Sequence, residues 1–286
     1  MITRTTRSLL VLVALLLFVG VTSINASPGQ CSLATLKGSY GFLEQGTLLQ
    51  AVSGLPLPPP LPYANVGIAI LDGAGHASGT YTGSFGGVIV SGPFSGTYTV
   101  SPDCTYSLVF TPSPFPETLH HFGTISGDGM VQEIHYIYTD PNLNASGLGK
   151  KTPNGQCSAE TFKGSYTVSG QGTDVFAPLP GLSPPFPMAH VAIITADGKG
   201  HIFGAGTEHP GGISFPDTVT GTYTVSPDCN VSVMIADTGG GSTVNIPEVG
   251  VITGQGQSQE LRSIIAVIAP APVPIGLVFA DTIKPQ

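Results

Sequence analysis

The segment Gly96-Thr97-Tyr98-Thr99-Val100-Ser101-Pro102-Asp103-Cys104 recurs without change as Gly221-Thr222-Tyr223-Thr224-Val225-Ser226-Pro227-Asp228-Cys229. Lys37-Gly38-Ser39-Tyr40 likewise returns as Lys163-Gly164-Ser165-Tyr166. The spacing is far above the roughly 20–50 residue period of solenoids, so it reads as duplication of a whole domain. Each copy is long enough for its own core. The expected organisation is a leader over residues 1–26, a first domain over 27–151 and a second over 152–286. Lys150-Lys151-Thr152-Pro153-Asn154-Gly155-Gln156 is polar and turn-rich, as a linker would be.

With 39 Gly and 26 Pro, few windows could hold a helix. Strand signals are frequent. The first copy predicts strands near Gly38–Thr47, Ala64–Leu71, Ala77–Gly83, Phe94–Ser101, Tyr106–Thr111, Leu119–Ser126, Val131–Thr139 and Ala145–Lys150. The second predicts Ser165–Gln171, Ala189–Thr195, His201–Ala205, Val219–Ser226, Val231–Ala236, Val249–Thr253, Glu260–Ala266 and Ile275–Ala280. Asp72-Gly73, Asp197-Gly198 and Asp128-Gly129 are hairpin signals. The expected fold is all-β: two tandem antiparallel up-and-down barrels of about eight strands each. A pair of two-sheet sandwiches is the alternative, although the chain has no Trp for the cysteines to bracket.

The start of the chain reads as a signal peptide. Arg4 and Arg7 precede an apolar run from Ser8 to Val21, and cleavage is expected after Ala26. The run is shorter than the roughly 20 residues of a transmembrane anchor, and no later segment is long enough to span. The mature chain is expected outside the cytoplasm, secreted or periplasmic. All acidic residues lie beyond Ala26, so the mature chain is more acidic than the net −8 of the whole. No Lys/Arg cluster exists to neutralise phosphates, which argues against nucleic acid as a partner. Charged residues are 9% of the chain, a low share that leaves surface for a partner to cover.

The four cysteines allow three pairings. Each copy holds one near its start and one after Ser-Pro-Asp, so the repeat selects Cys31–Cys104 and Cys157–Cys229. Each bridge would stabilise its domain by roughly 4 kcal/mol in the chain-entropy model. A zinc site is disfavoured: there is no Cys-x-x-Cys pair, and no histidine keeps ligand spacing in both copies.

Lys-Gly-Ser-Tyr after a cysteine, then Asp-Gly-x-Gly, then Gly-Thr-Tyr-Thr-Val-Ser-Pro-Asp-Cys resembles a group of uncharacterised exported bacterial proteins. Those proteins carry similar Gly-Thr-Tyr-x-Val-x-x-Asp-Cys-Thr segments. Cys104-Thr105 matches that ending and Cys229-Asn230 departs from it. The resemblance implies secretion and a fold similar to the allene-oxide-cyclase and dirigent barrels. It brings no activity and no catalytic residue.

Candidate chemistry is sparse. Asp72-Gly73-Ala74-Gly75-His76 and Asp197-Gly198-Lys199-Gly200-His201 read as tight turns rather than ion sites, since one carboxylate is too few for calcium. His120, His121 and His135 are expected as a solvated cluster, with the Asp128-Gly129 hairpin bringing His135 close to His121 and Phe122. Alternation with Ile134, Tyr136 and Tyr138 puts Glu133 outside the barrel, and Glu260 is its counterpart. Glu44 has no partner in the second copy, where Gly170 stands; Gln45 and Gln171 agree and are expected to bond within the lumen. Tyr98 and Tyr223 would anchor strand ends. Nucleophile elbows, Walker loops and dinucleotide fingerprints are missing.

The segments Pro59-Pro60-Leu61-Pro62-Tyr63-Ala64 and Pro184-Pro185-Phe186-Pro187-Met188-Ala189 lie between the first and second predicted strands. Being stiff and extended, they lose little entropy on docking. Leu61, Tyr63, Phe186 and Met188 are therefore the expected contacts for a ligand or partner. The chain reads as a secreted, non-enzymatic binding protein for a small apolar ligand or a cell-surface component, with no cofactor or metal. A structural surface module and a cyclase or isomerase with a lumenal carboxylate are the alternatives.

Overall fold

The computed structural model describes residues 31–51, 55, 58–175, 182–239, 242–265 and 277–286. The expected leader therefore lies outside the described residues. The chain forms two closed antiparallel barrels of eight strands each. The first comprises β1 (Gly38–Leu48), β2 (Leu61–Leu71), β3 (His76–Phe85), β4 (Val88–Val100), β5 (Thr105–Pro112), β6 (Leu119–Ser126), β7 (Glu133–Tyr138) and β8 (Leu143–Lys151). The second comprises β9 (Lys163–Asp174), β10 (Phe186–Asp197), β11 (His201–Glu208), β12 (Phe215–Val225), β13 (Asn230–Gly239), β14 (Ser242–Thr253), β15 (Glu260–Ile265) and β16 (Leu277–Pro285). Each strand pairs with the next, and the last closes on the first: Tyr40 faces Lys151 across β1 and β8, and Tyr166 faces Pro285 across β9 and β16.

Alternation sorts the side chains as the sequence predicts. Tyr40, Phe42, Tyr81, Phe94, Tyr98, Tyr106 and Phe110 fill the first lumen. Phe162, Tyr166, Ile194, Tyr223, Val231 and Leu261 belong to the second core. Interior glycines make room for rings laid flat against the wall. A Cβ on Gly147 would meet the Tyr136 ring at 2.5 Å.

Both disulfides form as the repeat suggests, Cys31–Cys104 and Cys157–Cys229. Cys104 and Cys229 hold left-handed backbone, with φ of 65° and 72°. The Asp72 and Asp197 turns also match each other. Asp72 Oδ1 accepts from the Ala74 and His76 amides at 2.7 and 3.0 Å, and Asp197 Oδ1 from Lys199 and His201 at the same distances. Tyr98 and Tyr223 hydroxyls accept from the Gly73 and Gly198 amides, tying each turn to the strand end.

Three expectations about strand boundaries and register need correcting. First, β2 and β10 begin at Leu61 and Phe186, earlier than predicted, so all four expected contact residues sit on strands rather than in a connector. Pro62 and Pro187 fall at strand starts, where a missing amide is tolerated. Second, Lys150 and Lys151 are not linker but the end of β8. Third, the β6–β7 connection contains a 3-10 turn, Gly129–Val131, instead of a tight hairpin. The longer connection shifts the register, so His135 faces Thr124 rather than His121.

The barrels also share a seam. Ala64, Val66 and Ile68 of β2 pack against Val251 of β14, Ile264 of β15, and Val278 and Ala280 of β16. Beside this apolar patch, Lys150 Nζ lies 3.1 Å from Glu260 Oε1, and Arg262 donates to Glu260 Oε2 at 2.9 Å and to the Leu148 carbonyl at 2.6 Å. Burial would push Glu260 up, but the Arg262 and Lys150 charges outweigh it and hold the carboxyl below its ordinary value. Glu260 is thus outside its lumen yet buried, not solvated. Gln45 Nε2 donates across the seam to the Gln171 carbonyl at 3.2 Å, which corrects its expected lumenal role.

Candidate functional site

The first lumen holds a cavity of about 90 Å³. At one end the 3-10 turn Leu33–Leu36 plugs the barrel with fully buried Leu36, and Tyr40 donates to Gln132 Oε1 at 2.5 Å. At the other end Leu55 and Phe115 pack onto the core. Between them the wall is almost entirely aromatic and aliphatic, including Phe42, Phe85, Phe94, Leu108 and Phe110.

Apart from Glu117 and Asn142, one group of polar side chains interrupts this wall. β1 carries Glu44 inward in phase with Tyr40 and Phe42, because residues two apart on a strand share a face. Its Oε2 accepts from Tyr63 at 2.6 Å, Tyr138 at 2.7 Å and Asn65 Nδ2 at 2.9 Å. Its Oε1 accepts from Tyr136 at 2.8 Å. Burial raises the Glu44 carboxyl above its ordinary value, and the four donors pull it only partly back. Burial and the nearby Glu44 charge also push Tyr63, Tyr136 and Tyr138 well above the phenol range.

His121 of β6 completes the group. Its ring stacks on Tyr136 with centroids 4.3 Å apart and meets Tyr138 edge-on at 4.3 Å. Burial depresses its pKa to about 3, so the imidazole is neutral. Its Nε2 stands 3.8 Å from Glu44 Oε1, beyond hydrogen-bond range. His121 Nε2 and Asn65 Oδ1 are both buried in the cavity wall without a hydrogen-bond partner. Such atoms cost about 1–3 kcal/mol each when left unpaired.

Of the expected contacts, Tyr63 belongs to this site and Leu61 to the same core. Phe186 is buried in the second barrel, and Met188 borders a cleft between the barrels with Gln45, Pro62 and Gln171. The four residues do not form one surface. The expected histidine cluster is divided by alternation. His121 points inward, whereas His120 pairs with Asp140 at 2.8 Å on the outside and His135 lies 3.2 Å from Glu133 there. Comparison between copies had set Glu44 aside. The residues missed were Glu44, Asn65 and His121, and strand phase alone carries the signal for the first.

Among the described residues no three His, Cys, Asp or Glu side chains converge as metal ligands. The buried carboxyl, its phenols and the neutral imidazole can instead exchange hydrogen bonds and protons with a bound molecule. No protein-family model matches the chain, and no curated protein matches it.

Proposed function

We propose that the first barrel binds a small, uncharged, largely apolar molecule carrying one hydroxyl- or amide-like group, in a protein exported from the cytoplasm. The observation that supports this most is an aromatic lumen in which Asn65 Oδ1 and His121 Nε2 beside Glu44 are buried without a partner, as is Glu117 Oε2 elsewhere in the lining. A donor on the ligand satisfies Asn65 Oδ1. His121 Nε2 takes either role according to its tautomer. An anionic ligand is disfavoured beside Glu44, which has no opposite charge on it. The volume decides the size. About 90 Å³ is several times what one water needs, roughly 10–15 Å³, but below the roughly 300–1,000 Å³ of drug-sized sites. It suits a compact ring or one end of a chain. The two disulfides agree with a location outside the cytoplasm.

The test is native mass spectrometry of the full chain purified from its own host, followed by calorimetric titration with benzyl alcohol, toluene and benzoate. A retained small mass, and affinity in the order benzyl alcohol, toluene, benzoate, supports the reading. Gly149 lines the cavity, and a Cβ there would have only ordinary contacts near 3.8 Å, so Gly149→Leu fills the space and should abolish binding. Bare protein together with no preference for the alcohol refutes the reading.

Glu44 favours a second reading, a cyclase or isomerase with a lumenal acid–base group. A buried carboxyl raised in pKa and ringed by phenols could move a proton within a bound substrate. Conversion of the retained ligand to an isomer of equal mass, lost in Glu44→Gln while binding persists, would separate catalysis from binding alone.

A further inference from the structure

The second lumen is built differently. Where β1 places Glu44, β9 has Gly170, and a Cβ there would lie 1.9 Å from Asp281 Oδ1. The space is filled from β16 instead. The half of this barrel near the starts of β10 and β12 is lined by acids: Glu208 of β11, Asp217 of β12, Asp237 of β13, Glu248 of β14 and Asp281 of β16. Asp174, at the end of β9, is buried at the same rim. Their one basic neighbour among the described residues is His190 of β10, with Nε2 3.2 Å from Asp217 Oδ2. The opposite half is apolar, with Phe162, Val168, Ile194, Ile202 and Val233.

Where the halves meet, a cavity of about 40 Å³ is walled by Glu248, Asp281 and His190 on one side and by those apolar residues on the other. Glu248 Oε2 accepts from Ser263 at 3.1 Å. Asp281 Oδ1 has no partner, although the residue is only 3% exposed. Asp217 Oδ1 and Asp237 Oδ1 are equally unpartnered, at 2% and 8% exposure. Burial and the neighbouring carboxyls push Asp281 and Asp237 up, Glu248 to about 7 and Glu208 to about 8. A set of buried carboxyls facing a single imidazole is short of positive charge, and once ionised in mild base it is short of donors too.

A cation supplies both. A metal ion needs several ligands converging on a point, and no such trio exists among the described residues. An ammonium group has three donors and tolerates looser geometry. The apolar floor calls for a hydrocarbon tail, and about 40 Å³ is room for roughly three waters at about 10–15 Å³ each. We propose that the second barrel binds a small primary alkylammonium ion, its head between Asp281 and Glu248 and its chain among Ile194, Ile202 and Val233. The two lumens then take ligands of opposite character, one neutral and one cationic, and this site stands whether or not the first barrel binds anything.

The test is thermal denaturation of the full chain at about pH 8 with n-propylammonium chloride, against n-propanol, sodium chloride at equal ionic strength, and calcium chloride. The expected result is a saturable Tm rise of about 5–10 °C at a hundredfold excess over Kd, given by propylammonium alone. It should vanish at about pH 5, where Glu248 is protonated, and in Asp281→Asn at pH 8. The comparison of propylammonium with propanol needs no variant, so it stands even if Asp281→Asn misfolds. Equal shifts from propanol or sodium chloride, no shift at all, or an undiminished shift in folded Asp281→Asn would overturn the proposal. A shift from calcium in place of propylammonium would overturn it in favour of a metal.

Discussion

This protein should be more stable in mild acid than at neutral pH, and Glu248 shows by how much. Burial raises its carboxyl from an ordinary 4.5 to about 7. Between those values the folded chain keeps a proton that the unfolded chain has released. Folding therefore binds protons there, and stability falls as pH rises through the window. At about 1.4 kcal/mol per pH unit, Glu248 alone removes about 3 kcal/mol by the time pH passes 7. For a chain of this size that is roughly 6–12 °C in Tm. Glu44, Glu208, Asp237 and Asp281 are raised too and act in the same direction. Asp72, Asp103, Asp197 and Asp228 are lowered, so their contribution is present above the ordinary aspartate value of 3.8 and lost below it. The two groups together place the optimum near pH 4–5.

The assay is near-ultraviolet circular dichroism of the tyrosines, or calorimetry, in amine-free buffers from about pH 4.5 to 8.5. Glu248→Gln keeps an acceptor for Ser263 and should flatten the fall by about the 3 kcal/mol assigned to Glu248. A Tm that is constant or rises from about pH 5 to 8, or a Glu248→Gln slope as steep as the parent's, would refute the reasoning.

Other substitutions probe the seam and the first lumen. Glu260→Gln strips Lys150 and Arg262 of their buried counter-charge and should cost about 3–5 kcal/mol in urea denaturation. Gly41→Val drives a side chain into Val251 and Thr253, which a Cβ would already approach at 2.8 and 2.5 Å. It should split unfolding into two transitions as the barrels part. Tyr136→Phe removes the donor to Glu44 Oε1 and should cost about 1–3 kcal/mol, read from the denaturation midpoint.

The repeat made the barrels legible because each element of the pattern had a local cause: a turn residue, an alternating strand, a cysteine beside a fixed motif. The strand starts at Leu61 and Phe186 are hidden in sequence because a Pro-rich segment reads as a stiff connector, yet at a strand start proline removes no ladder bond that matters. The site was hidden for another reason. Comparing the copies favours what they share, and the lumens differ: Glu44 faces Gly170 in that comparison, while the second barrel draws its acid from Asp281 on another strand. Tyr40-x-Phe42-x-Glu44 already contained the phase that places the carboxyl inside. The pairing of Glu260 with Lys150 was invisible because it crosses two barrels and follows no periodicity.

The apolar seam also bears on how the molecule can be handled. Val66 and Ile68 on one barrel, and Val251 and Ile264 on the other, are surface residues of their own cylinders and interior residues of the pair. A half-length fragment made for labelling or display would bare this greasy strip to solvent and tend to self-associate. Polar replacements along that strip are the first requirement for producing either cylinder as a well-behaved monomer.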